Sequence, residues 1–335
     1  RANPKVHYIK DLDSIPFPAH DLLNPERYFK CALPMGYTMM SPRNLPVMTS
    51  RGCPCLCTFC SSTHLWGKHY RARSASNVLR ELDWLVEKFG IKEIKVQDDN
   101  LTANKKRAVE IFQGMIERPY RLRWNTPNGI AVWTLDKEML TMMKEAGCYE
   151  MTLAIESGNQ KVLKDLIRKP LQLDKVREIN RAARELGIFR LAYFIIGFPG
   201  ETKDQIMDTI RFSRELRLDL SAIFIYNPLP GSELFQECLK RGHITEKSFF
   251  EIGNQYFSSV VDSDEWTSRE LETIIRWEYF RNYLAIFRSP YLLGRMYYKA
   301  FRYRPSFVKF FLRRTSRAIR LKWMKGNTRE KPQQG

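Results

Sequence analysis

The chain has 335 residues, 44% of them hydrophobic, and a formal net charge of +18. That length allows one large domain with an appendage, and a core that needs no disulfide staples. The composition is that of an ordinary globular protein. No stretch reaches the roughly 18 to 20 apolar residues of a membrane-spanning helix.

Residues 1–42 lack clear periodicity. The chain opens on Arg1 rather than Met, as a fragment or a processed form would, and without a signal-peptide pattern. The Pro- and Asp-rich run from Asp11 to Asp21 reads as a linker or N-terminal arm. From residue 45 onward short apolar runs alternate with helical patterns. Residues 45–49 predict a strand leading into Ser50-Arg51-Gly52-Cys53-Pro54-Cys55-Leu56-Cys57-Thr58-Phe59-Cys60. Val78, Leu79, Leu82, Leu85, Val86 and Phe89 recur at helical spacing, with Ser74 as cap and Gly90 as stop. A second strand is expected over 91–97, and a helix capped by Thr102 carries Ala108, Val109, Phe112 and Ile116. A third strand (122–126) and a short helix (137–145, ending at Gly147) follow. A fourth strand (151–155) precedes a helix marked by Val176, Ile179, Ala183 and Leu186 and closed by Gly187. A fifth strand (191–196) leads to a capping box of Thr202 and Gln205, and a sixth covers 222–226. Alternating strands and helices imply parallel pairing with crossover helices. An open doubly wound sheet and a partial barrel both satisfy that pattern.

The three cysteines Cys53, Cys57 and Cys60 are spaced C-x3-C-x2-C. Three thiolates so close can hold three corners of a cubic four-iron cluster and leave the fourth iron open, whereas electron-transfer clusters take four. A structural zinc wants four ligands, usually as two separated pairs. Cys55 lies inside the first gap, too close to its neighbours to complete one tetrahedron easily, while Cys31, Cys148 and Cys238 are scattered. An odd total of seven cysteines argues against a disulfide framework, and free thiols suit a reducing cytoplasm.

Cys53, Cys57 and Cys60, with Phe59 before the last, resemble the signature of the radical S-adenosylmethionine (SAM) enzymes, and the resemblance covers roughly residues 43–232. It implies a 4Fe-4S cluster whose open iron chelates the amino and carboxylate groups of SAM. Electron transfer into the sulfonium then releases a 5′-deoxyadenosyl radical that takes hydrogen from an unactivated carbon. It also implies an α/β fold: a partial (β/α)6 TIM-like barrel of the radical SAM type (43–232) with a helical C-terminal extension (233–287) and a tail (288–335). Functional groups of such folds gather at the carboxyl ends of the strands. There the second strand offers Asp98, Asp99 and Asn100 where the family often has Gly-Gly-Glu, the segment that binds the amino group of SAM. The fourth offers Glu156, Ser157 and Gly158, similar to the ribose- and methionine-binding segment. The fifth, with Ile195 and Gly197, resembles the adenine-binding strand, although Tyr193 replaces the family's leading glycine. Asn227-Pro228-Leu229-Pro230-Gly231 resembles the turn that closes the site. The electron would come from a reductase, a flavodoxin or a ferredoxin.

The run from Asp11 to Asp21 also resembles the joint that follows a cobalamin-binding domain in one radical SAM branch, which adds cobalamin to the expected cofactors. Members of that branch methylate or rearrange lipids, tetrapyrroles, sugars and antibiotics. Residues 288–326 carry twelve Lys or Arg and no Asp or Glu, interleaved with aromatics. Such a segment suits an anionic membrane surface, with a helix packed on the barrel and, last, nucleic acid as the rivals. The expectation is a cytoplasmic enzyme, peripheral at the inner face of the membrane, acting on a small molecule or lipid. Two alternatives are carried. A tRNA methylthiotransferase should bring three further upstream cysteines and a downstream β-barrel, and a non-catalytic metal-binding, nucleic-acid-binding scaffold should bring four metal ligands.

Overall fold

A computed structural model describes residues 8–30, 39–244, 261–263 and 265–288. The chain divides into residues 1–279 and 280–335, and of the second unit only 280–288, the end of a helix, are described. The basic aromatic tail therefore lies outside the described residues, apart from Arg288.

The sheet runs β1 (Asn44–Val47), β2 (Glu93–Val96), β3 (Arg123–Ile130), β4 (Cys148–Glu156), β5 (Phe189–Ile196) and β6 (Leu220–Ile225). Each strand pairs in parallel with the next in the chain. A doubly wound sheet reverses its strand order at a switch point. This one does not, so the order selects the singly wound partial barrel, with β1 and β6 as its edges. The crossovers are α1 (Ala75–Phe89), α2 (Lys105–Glu117), α3 (Lys137–Glu145), α4 (Leu173–Glu185) and α5 (Lys203–Glu215); α6 (Glu233–Lys240) and α7 (Ser268–Arg288) follow the sheet.

Local chemistry sets these boundaries. Ser74 Oγ accepts the Asn77 N–H at the start of α1, and Gly90 closes it in the left-handed conformation at φ 58°. The box of Thr202 and Gln205 opens α5 with both reciprocal bonds made. The cap of α2 is Asn104 rather than Thr102, whose hydroxyl instead meets that of Thr134 at 2.6 Å. β3 runs past the expected end at Thr126, through Pro127 and Gly129, at the cost of register shifts against β4. Gly129 permits this: at φ 102° it lies against Ala154, whose Cβ would be 3.0 Å from an added one.

The two faces of the sheet differ. One face is apolar and sealed under the helices by Ile94, Val96, Trp124, Met151, Leu153, Ile155, Phe194, Ile196 and Ile223, all at most 6% exposed. The other face changes along the strands. Towards their amino ends it is polar yet buried, with Lys95, Asn125, Glu150 and Thr152. Lys95 pairs with Glu93 and bonds the Tyr149 hydroxyl at 2.9 Å, and Asn125 donates to Glu150 at 2.8 Å. The second Glu93 oxygen accepts the Met40 and Ser41 N–H groups at 2.6 and 2.5 Å, plugging that end. Towards the carboxyl ends the same face is half-exposed at Ala154, Tyr193, Ile195 and Phe224. Tyr193 packs on Phe224, and its hydroxyl reaches across to the Pro127 carbonyl at 2.7 Å. Among the described residues, the carboxyl end keeps these side chains partly exposed, whereas the amino end is buried.

Candidate active site at the carboxyl ends of the strands

The cysteine loop leaves β1 through Thr49 and Ser50. Gly52 turns it at φ 84°, where a Cβ would stand 3.1 Å from the His69 carbonyl. Two backbone bonds anchor the loop: Thr58 N–H to Ile167 O at 3.2 Å, and Leu234 N–H to Thr58 O at 3.0 Å. Cys53, Cys55, Cys57 and Cys60 are all free thiols and partly exposed. The Asn100 amide donates to Cys53 Sγ at 3.6 Å, and the Ser62 N–H donates to Cys60 Sγ at 3.4 Å. A hydrogen bond from Cys55 outweighs burial and holds Cys53 down to about 6, whereas burial pushes Cys57 up to about 11.

Among the described residues no three His, Cys, Asp or Glu side chains converge on a point that could hold one metal ion. Three free thiols spread around one loop, two of them with N–H donors aimed at sulfur, fit a larger iron–sulfur body.

The acidic pair after β2 splits in two. Asp98 is 2% exposed and bonds Thr49 N–H at 2.6 Å and the Thr49 and Ser50 hydroxyls at 2.5 Å. It therefore ties the start of the cysteine loop to β2 and has no face towards the cleft. Burial pushes its carboxyl up against these bonds. Arg107 braces the same corner, donating to Thr49 O at 2.7 Å and Arg73 O at 2.6 Å. Asp99 is exposed and takes the Ser62 hydroxyl at 2.9 Å. Gln97 Nε2 and Asn100 Oδ1 are buried without a hydrogen-bond partner among the described residues.

The segment after β4 splits likewise. Glu156 follows a bulge with φ 72° and reaches Lys169 at 3.1 Å. Ser157 turns away, to Thr209 at 3.1 Å. Gly158 provides close contact with α5, where a Cβ would come within 2.5 Å of Phe212 Cβ. Lys169 was not singled out by sequence, since nothing local separates it from Lys161, Lys164 or Arg168. It is 6% exposed and stands over the Trp133 ring. Burial works against its charge, yet Glu156 and then Cys57 outweigh that and raise its pKa.

After β5, Ile195 lies on the half-exposed face. Gly197 packs outward, where a Cβ would come within 2.3 Å of Leu271. Its N–H and that of Phe198 bond Glu201 Oε2 at 2.7 and 3.0 Å, which makes Glu201 a second residue the sequence left unmarked. Phe59 packs on Phe198, which in turn meets Tyr226. The structure thus gathers Cys53, Cys57, Cys60, Asp99, Asn100, Glu156 and Lys169 at one end of the array and directs Asp98, Ser157, Gly158 and Gly197 into its packing.

Residues 47–213 match the model of the family described as the Radical SAM superfamily. The chain is 39% identical over 260 residues to cytidylyl-2-hydroxyethylphosphonate methyltransferase of Streptomyces wedmorensis, a match covering 75% of this chain and 48% of that protein. It is 31% identical over 284 residues to an uncharacterized methyltransferase of Pyrococcus horikoshii, covering 85% and 59% respectively. The chain thus spans about half the length of the curated relatives it matches. Among solved structures it resembles TsrM, a radical SAM methyltransferase of Kitasatospora setae, with a TM-score of 0.54 and 18% identity over 58% of this chain and 36% of that one. That likeness establishes the fold.

Proposed function

Residues 47–213 belong to the radical SAM superfamily, and on that premise we propose that the chain reductively cleaves SAM and directs the resulting radical to methylation or rearrangement of a small molecule or lipid. The observation that carries this is the loop of three free thiols at the end of β1, facing the Glu156–Lys169 pair and Asn100. Cys53, Cys57 and Cys60 would hold a 4Fe-4S cluster, which would supply one-electron reducing chemistry for SAM cleavage.

The remaining roles fall to this chain's own side chains. Lys169 offers a buried cation to the ligand's carboxylate, and Glu156 and Asp99 offer carboxylates to its ammonium and ribose hydroxyls. Asn100 Oδ1 and Gln97 Nε2, both without partners among the described residues, supply one acceptor and one donor for the same polar end. Tyr193, Ile195 and Phe224 give the adenine and substrate an apolar wall. The likeness to proteins named as methyltransferases favours methyl transfer over rearrangement, with cobalamin as methyl carrier and a flavodoxin- or ferredoxin-class donor. The tail sequence supports a membrane-associated substrate, at a cytoplasmic membrane face. Among the described residues no helix is long and apolar enough to cross a membrane.

The test is 5′-deoxyadenosine release under dithionite by anaerobically reconstituted protein, read beside iron and sulfide content. Cys57→Ala is expected to abolish release, because two thiolates hold a cluster poorly, and Cys55→Ala is expected to retain it. Equal loss in both variants overturns the ligand assignment. Fewer than about four irons per wild-type chain overturns the function.

A further inference from the structure

The amide of Asn100 has two ends with different surroundings. Its Nδ2 lies 3.6 Å from Cys53 Sγ, while its Oδ1 is buried with no partner among the described residues. The side chain is only 1% exposed, so neither end is satisfied by open solvent. Its backbone is held in a turn by the Ala103 N–H at 3.4 Å, and neighbouring Asp99 is fixed by Ser62 at 2.9 Å. Buried polar atoms seek partners, and an orphan acceptor beside an incomplete ligand site calls for a donor from the ligand. Cys60 also receives an N–H, but from the Ser62 backbone. Asn100 is therefore, beside the Cys55 thiol, a neutral donor to the Cys53 sulfur, and it is the one whose other end is left for a ligand.

Resting on the function proposed above, we infer that Asn100 is a positioning residue that couples SAM binding to the reduction potential of the cluster. Its Nδ2–H stabilises the more negative, reduced form by donating to Cys53 Sγ, because hydrogen bonds to the sulfurs set the potentials of such centres. A ligand ammonium donating to Oδ1 polarises the amide and strengthens that donation, as bonds in a chain reinforce one another. Binding of SAM then makes the one-electron reduction more favourable through a side chain that touches both partners. Dithionite gives the electron, and no bond in the protein breaks.

The experiment is an EPR-monitored potentiometric titration of reconstituted wild type, Asn100→Ala and Asn100→Asp, with and without saturating SAM. Binding of SAM to each is measured separately, so that saturation is assured. Both variants are expected to hold the full iron content. Their reduction equilibrium should be at least tenfold less favourable, about 59 mV more negative for a one-electron couple. The positive shift on adding SAM should be smaller in both than in wild type. Asn100→Asp retains an acceptor oxygen, has no N–H and adds a negative charge beside Cys53, so its potential should fall at least as far as that of Asn100→Ala while its affinity for SAM is better kept. Variants that titrate at the wild-type potential, with the same shift on saturation, overturn the inference while leaving the proposed function intact. A wild-type chain without a four-iron cluster removes the reading beneath both.

Discussion

Glu201 shows how the fold decides the charge of one side chain. Its carboxyl is fully buried, one oxygen holds the Gly197 and Phe198 N–H groups, and the other has no partner among the described residues. Burial outweighs both bonds and pushes its pKa up to about 8. The folded state therefore holds this proton more tightly than the unfolded chain. The group's contribution is greatest at acid pH, declines as pH rises from the usual carboxylate range to about 8, and levels off above that. Glu201→Gln keeps an acceptor for both N–H groups and removes the ionisation. Denaturant midpoints at pH 5 and pH 9 should show wild type losing more stability than the variant over that interval. An equal loss would place Glu201 in contact with water. Glu156 makes a different prediction: Glu156→Gln should weaken SAM binding by about 1.5 to 3 kcal/mol, the worth of one charge-assisted hydrogen bond, with iron content intact. Unchanged affinity in equilibrium binding would assign the pair with Lys169 to the fold alone. The cysteine loop was legible as a group because its thiols are adjacent in sequence, and the structure keeps them as free thiols on one loop. Asp98 and Asp99 were not separable, because neighbouring residues leaving a strand point to opposite sides. Lys169 was invisible because its pairing with Glu156, 13 residues earlier, is made only once the segment between them has folded.

At the scale of elements, the helix boundaries were legible wherever a cap carries them. Ser74, Gly90 and Thr202 act at their expected positions through local bonds. Thr102 was displaced as cap by Asn104 because its hydroxyl found a tertiary partner in Thr134. The length of β3 was underestimated because Pro127 and Gly129 ordinarily interrupt strands, whereas here Gly129 takes a positive φ and lies close against Ala154 on β4. Strand order was not written in any local pattern, since it depends on which way each crossover helix returns. The contact of α5 with the turn after β4 yields a prediction that separates packing from ligand binding. A Cβ at Gly158 would meet Phe212 Cβ at 2.5 Å and Thr209 Cα at 2.8 Å, so a backbone must shift. Gly158→Ala is expected to lower stability by about 1 to 3 kcal/mol, as overpacking does. The affinity for SAM should stay within about twofold of wild type, because the residue faces the helix and small rearrangements remain local. Urea unfolding and equilibrium binding measure the two effects. A large loss of affinity at unchanged stability would put Gly158 at the ligand after all.

At the scale of the whole molecule, the barrel is asymmetric from end to end. The Glu93–Lys95–Tyr149 network plugs its amino end, while the carboxyl end keeps half-exposed aromatic and aliphatic side chains beside the thiols. On the proposed function, the reaction would take place at the carboxyl end, and a substrate would be delivered there. Charge is equally uneven, since twelve of the Lys and Arg residues lie in 288–326 with no acid among them, against a net charge of +18 for the chain. Each such charge near an anionic surface contributes up to about 1 kcal/mol, and salt screens it. The interleaved Tyr, Phe and Trp side chains add an apolar part that salt does not remove. Vesicles of anionic lipid should therefore co-sediment with the full chain at low salt and leave a smaller bound fraction at high salt. A chain ending at Phe287 should keep its cluster and lose both fractions. Retention of iron by that shortened chain, measured in the same sample, separates loss of binding from loss of folding. If neither chain binds vesicles, the membrane role of the tail fails. If the full chain binds RNA tightly and vesicles not at all, the lipid substrate fails with it, because the only feature favouring a lipid is this one segment's sequence.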